Sequence, residues 1–110
     1  MKYLQTEFEG KREVKGTHFK QLQKSDKAFL YKLTDIETGS KRYEVFLRKV
    51  VKADSAVLGG KLVNYDEHES YPYTEAFGSW AWCISDYNKA LRKFNELNKI
   101  SENYQKIGQN

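Results

Sequence analysis

With one cysteine, Cys83, the chain cannot close an internal disulfide, so nothing in its covalent chemistry calls for an oxidising compartment. It has no apolar run long enough to span a bilayer, and Met1-Lys2-Tyr3 does not lead into the apolar core of a signal peptide. The expectation is a cytoplasmic protein with no membrane partner. Catalytic signatures are missing as well: there is no Gly-x-Ser-x-Gly elbow, no Walker loop and no paired zinc ligands. Gly59-Gly60 lacks the lysine and flanking pattern of a phosphate loop. These absences point to a non-enzyme without a cofactor or a metal.

What remains is a chain of 110 residues, room for one domain over 1–110. Charged residues make up 31% and apolar ones 39%, a globular balance too rich in aromatics for a disordered chain. The net charge of +4 is mild but uneven. Residues 1–61 hold 14 Lys/Arg against 8 Asp/Glu, residues 62–86 hold none against 5, and residues 87–110 hold 5 against 2. Two basic blocks flank an acidic one, an asymmetry that fits either a polyanion-binding face or a solubilising surface.

The chain is organised around Glu69–Leu97, which contains both tryptophans, the only proline and the only cysteine. From Phe77 to Ile84 the residues Trp80, Trp82 and Ile84 recur at every second position, which predicts a strand with all three on one face. Ser79, Ala81 and Cys83 then share the other. Ser85 or Asp86 caps a helix whose buried stripe is Tyr87, Ala90, Leu91, Phe94 and Leu97, at spacings of three and four. Glu96 lies four residues after Arg92, within reach of a surface pair.

Upstream, residues 1–10 read as an edge strand or an arm, and Lys11–Lys15, between Gly10 and Gly16, as a hairpin arm or exposed loop. Thr17–Lys24 carries Phe19 and Leu22 three apart, which fits a short helix or a bulged strand and is taken as a strand; Ser25-Asp26-Lys27 reads as a turn, and Phe29, Tyr31 and Leu33 as one side of a half-buried strand. The turn Asp35–Ser40 leads into one long strand, Arg42–Lys52, whose two faces are both partly apolar, so cover on both sides is expected. Ala53–Gly60 reads as a loop, Lys61–Tyr65 as a short strand and Asp66–Thr74 as a connection bent at Pro72. Residues 100–110 are expected to fray. The predicted fold is α+β: an antiparallel sheet of four to six strands with one C-terminal amphipathic helix packed on one face.

Three constellations compete with bland readings. Asp66, Glu67, His68, Glu69 and Glu75 are the densest potential metal ligands, but consecutive acids on extended chain point to opposite faces, and we read a solvated acidic loop. Cys83 with His68 or His18 could be written as nucleophile and base, yet a lone cysteine between Trp82 and Ile84 reads as a small buried hydrophobe. Trp80, Trp82, Phe77, Tyr71 and Tyr73 could stack bases, but aromatics on a strand feeding a core helix read as core.

Two resemblances bear on context. Tyr43-Glu44-Val45-Phe46-Leu47-Arg48, a later strand, and a helix with Ala90, Phe94 and Leu97 is similar in order to the WGR domain, a sheet-and-helix module that contributes to DNA contact in its family. Lys49-Val50-Val51 stands where Trp-Gly-Arg would follow, so that contact does not carry over. Glu69-Ser70-Tyr71-Pro72, Phe77-Gly78, Trp80 to Trp82, then Ala90 and Phe94 resembles small uncharacterised phage and mobile-element proteins of gut bacteria. That resemblance implies a setting of mobile DNA and no activity.

The functional expectation is a small non-enzymatic binding module. Nucleic acid is placed first as partner, through Lys11, Arg12, Lys15, Lys20, Lys41, Arg42, Arg48 and Lys49. The alternative is an adaptor or inhibitor that docks on a host protein through an acidic loop, using Asp66, Glu67, Glu69, Tyr71 and Tyr73.

Overall fold

Alternation along the first half of the chain builds the central sheet. A computed structural model of the protein describes residues 1–108, with side chains through Lys99; the tail expected to fray, 100–110, lies outside those described side chains. The strands β1 (Glu7–Glu9), β2 (Thr17–Lys24), β3 (Ala28–Asp35) and β4 (Lys41–Leu47) form an antiparallel meander. Strand β9 (Ala81–Ile84) joins at the far edge, giving the order β1-β2-β3-β4-β9. One helix, α1 (Tyr87–Gly108), follows. The fold is α+β, with a five-stranded sheet.

The sheet is buried on both faces because its strands are apolar on both. Phe19, Phe29, Tyr31, Leu33, Phe46 and Ala81 form one face with Trp80 and Ala76 above them. Ala28, Leu30 and Val45 form the other, against Ala90, Phe94 and Leu97 of α1. Burying side chains of this size stabilises by about 1.5–3 kcal/mol each. Asp86 caps the helix, its Oδ2 accepting from the Lys89 N–H at 2.9 Å, and Phe94 is 6% exposed. Farther along, the Ser25 hydroxyl donates to Asn98 Oδ1 at 2.6 Å and ties the β2–β3 turn to the helix. Lys93 lies 4.1 Å from the Trp82 ring centroid and meets Glu96 at 3.7 Å; the helix-surface ion pair is this one rather than Arg92 with Glu96.

Four sequence expectations are corrected. The strand expected to run through Lys52 stops at Leu47, and Val50–Val51 (β5) pairs instead with His68–Glu69 (β8). Ala53–Gly60 is not a loop: Asp54–Leu58 (β6) pairs with Lys61–Tyr65 (β7) across Gly59-Gly60. Both glycines have positive φ, +58° and +78°, the backbone that a two-residue hairpin turn demands. Trp80 and Trp82 do not share a face. A tight turn at Phe77–Trp80, with Gly78 at φ +90° and its N–H on Ala81 O, delays the strand to Ala81. Trp80 therefore covers one face while Trp82 packs with the helix on the other. Cys83 is exposed: it stands on the edge strand β9 two residues past Ala81, the last residue of that face held in the aromatic core. Lys11–Lys15, left between an arm and a loop, holds a short 3₁₀ turn at Arg12–Val14.

Candidate functional site

The aromatic face carries a layer that periodicity does not announce. Residues 2–6 run along it as a strap: the Lys2 N–H donates to Glu67 O, the Glu69 N–H to Lys2 O, and the Gln21 N–H to Thr6 O, at 2.7–2.9 Å. The Tyr31 hydroxyl donates to Gln5 O at 2.7 Å. The connection from Asn64 to Phe77 lies over the sheet beside the strap, and residues of both line a cleft of about 1140 Å³. Phe8, Phe19, Glu44 and Tyr71 are among its inner lining, with Tyr3, Tyr65, Tyr73 and Phe77 exposed along it.

Tyr71 organises this cleft. Pro72 follows it and holds it extended, and its ring meets Phe8, Phe19, Tyr31 and Phe46 edge-on, at centroid distances of 5.1–6.1 Å. Its hydroxyl donates to Glu44 Oε2 at 2.8 Å. Burial, then the neighbouring Glu44 carboxylate, raises the Tyr71 pKa far above the ordinary phenol range, so it stays a donor. Glu44 is 8% exposed, and burial pushes its carboxyl up, opposed by the Tyr71 hydrogen bond and by the charge of Arg42.

Glu69 forms the second buried carboxylate, with a side chain 0% exposed. Its Oε1 accepts the Leu4 N–H at 2.9 Å and its Oε2 accepts Arg48 Nε at 2.6 Å, while Lys24 Nζ stands 3.9 Å from Oε2. This group is a clasp. It fastens the strap to β8 and to the chain leaving β4.

The two expected site sets fare differently in space. Lys11, Arg12 and Lys15 cluster on the β1–β2 link, with Arg12 held at φ +58°. The register puts Lys20 and Lys41 on the helix side of the sheet and Arg42 on the cleft side. Arg48 is committed to Glu69, and Lys49 lies over the Trp80 ring at 5.3 Å. These cations do not form one face. By contrast Asp66, Glu69, Tyr71 and Tyr73 all line the cleft, while Glu67 lies outside it, 3.7 Å from Lys52. Glu69 is buried rather than displayed on a solvated loop.

Sequence reasoning missed Glu44, Phe8 and Phe19 as cleft residues. The available signal was the mixed face of β4, where a glutamate alternates with Phe46. His68 Nδ1 lies 2.8 Å from Asp66 O and His18 Nε2 pairs with Glu7 at 2.8 Å, so neither histidine is bonded to Cys83. Partial burial and Glu44 raise the Cys83 thiol pKa, the opposite of what activates a nucleophile. Among the described residues no group of three His, Cys, Asp or Glu side chains is placed to hold a metal ion, and no helix is long and apolar enough to cross a membrane. No family model matches the chain, and neither the curated proteins nor the solved structures include a match to it.

Proposed function

We propose that this protein is a small non-enzymatic binding module that takes an extended segment of another protein into the aromatic cleft. The carrying observation is that a cleft of about 1140 Å³ is lined by the exposed aromatics Tyr3, Tyr65, Tyr73 and Phe77, three of them on residues 64–77, which contain no lysine or arginine. Aromatic side chains supply contact area at low entropic cost and dominate binding energy at protein interfaces. Of the lining acids, Glu9, Glu44 and Asp66 have no ion pair among the described residues and can meet a cationic side chain of the partner, beside Lys2 and Lys11 in the same lining. A host protein met by a mobile element belongs to that class of partner. The dispersal of the lysines and arginines over both faces of the sheet weighs against a phosphate-tracking surface.

The test is a panel of short random-sequence peptides probed with the parent and with a Tyr73→Ala, Phe77→Ser variant. Both side chains are exposed, so the variant should fold. Peptides captured by the parent and lost by the variant support the reading. Equal capture by both opposes it, as does a parent that takes no peptide but binds labelled nucleic acid with an affinity falling steeply with salt.

A further inference from the structure

We infer that Glu44 anchors one cationic side chain, a lysine or an arginine, of the segment that the cleft takes; this deepens the peptide-binding reading and rests on it. Glu44 is placed by register, opposite Tyr31 on β3 and Cys83 on β9, with Phe46 two residues on along the same face. Its carboxylate lines the cleft yet is nearly enclosed. Among the described residues the Tyr71 hydroxyl is its only side-chain hydrogen-bond donor and no ion pair reaches it. Arg42, two residues back on the same face, acts on it through its field without touching it.

A carboxylate accepts at two oxygens, and Tyr71 serves one of them with a neutral donor. Contrast Glu69, where both oxygens are served and an arginine compensates the charge. Glu69 is finished as a structural clasp, whereas Glu44 retains charge and acceptor capacity at the cleft. Burying a carboxylate is unfavourable unless a cation or several donors meet it. An incoming ammonium or guanidinium supplies what is missing, while its methylene stem packs along Tyr71 and Phe8, whose ring centroids are 6.1 Å apart. The adjoining aromatic faces add attraction for the same charge.

Two measurements test this. In the first, n-butylammonium and n-butylguanidinium are titrated against the isotope-labelled protein, with n-butanol as the uncharged control. The cations should shift the amide signals of Glu44 and Tyr71 in the parent and in Tyr71→Phe, which keeps both ring and charge, and should leave Glu44→Gln unmoved. In the second, peptides bound by the cleft carry lysine or norleucine at one position. The parent should prefer lysine by about tenfold or more, the factor a charge-assisted hydrogen bond supplies, and Glu44→Gln should lose the preference while still binding norleucine. A parent that responds equally to n-butanol, gives no response to the cations, or keeps its response in Glu44→Gln overturns the inference. Cation shifts without any peptide binding keep the Glu44 site and sink the peptide reading. Peptides held through Tyr73 with no preference for lysine sink the Glu44 site alone.

Discussion

Replacing Arg48 with alanine tests the clasp that holds the cleft together. In the parent, Glu69 receives Arg48 Nε at 2.6 Å and the Leu4 N–H at 2.9 Å, in a setting that leaves its side chain 0% exposed. Lys24 is 3.9 Å away with its side chain 41% exposed, too distant and too hydrated to take over. Arg48→Ala thus strands a buried carboxylate on one backbone N–H, a loss of about 3–5 kcal/mol. Domains of this size are held by about 5–15 kcal/mol, so the variant should melt more than 10 °C or so below the parent. Adding Glu69→Leu to Arg48→Ala should recover part of the loss, because no charge is then left buried. Urea melts of the parent, both single variants and the double variant give the coupling, which should exceed about 1 kcal/mol. Amide exchange supplies a local reading: Leu4 should lose protection in Arg48→Ala, since its N–H shares the same carboxylate. A loss below about 1 kcal/mol with Leu4 still protected would refute the argument that this pair fastens the strap.

Three further substitutions address the opposite face and the titration of the cleft. Phe94→Ala should lose about 3–5 kcal/mol in a denaturant melt, because the ring fills the space between Ala28, Leu30 and Val45 of the sheet and its neighbours on α1. Lys93→Ala, beside it, should lose about 0.5–1 kcal/mol rather than nothing, because the ammonium sits 4.1 Å from the Trp82 ring; equal melting midpoints for the two variants would contradict the packing. Glu44 has a folded-state pKa raised above its ordinary value by burial, so the native state holds its proton more tightly than the unfolded chain. Its contribution is complete below the unfolded pKa and declines as pH rises through the folded one. Glu44→Gln should therefore gain stability relative to the parent between acidic and neutral pH, and parallel stability curves across that range would show that Glu44 is not desolvated.

The β3–β4 hairpin was legible because its strands alternate over runs of seven or eight residues, and α1 because Ala90, Phe94 and Leu97 repeat at helical spacing; β2 was less so, because the register shift between Gln21 and Gln23 sets Phe19 and Leu22 three apart. The errors have local causes. Arg42–Lys52 keeps its alternation past Leu47, yet the Arg48 N–H turns to Lys27 O and the Arg48 side chain to Glu69, both long-range partners that no window of sequence contains. Of the β6–β7 hairpin, Lys61–Tyr65 was read as a strand, while β6 escaped notice: Val57 and Leu62 are 70% and 68% exposed, so the pattern lacks a buried side. Its one strong signal, the glycine pair at the turn, was taken as the end of a loop rather than as two positive φ values. Trp82 and Ile84 share a face as the alternation predicts, and Trp80 alone departs, because the Gly78 turn leaves it outside the strand that begins at Ala81.

The candidate site was less legible for a different physical reason. Tyr71, Tyr73, Asp66 and Glu69 were picked out because aromatic and acidic residues crowd one segment, and the cleft does gather those four. Their partners come from the strap, from β1, β2 and β4, and from a half-buried arginine that had been assigned to phosphate contact. Composition can mark a residue as chemically able, but it cannot say whether its charge is already spent. Arg48 and Glu44 show the difference, since one is a surface-type residue consumed by a buried acid and the other a strand residue whose charge is left facing a cleft. The discriminating quantity is the number of partners each ionised group already has. It is fixed by contacts 21 residues apart for Arg48 and 27 apart for Glu44, which is why it emerges only once the sheet has closed.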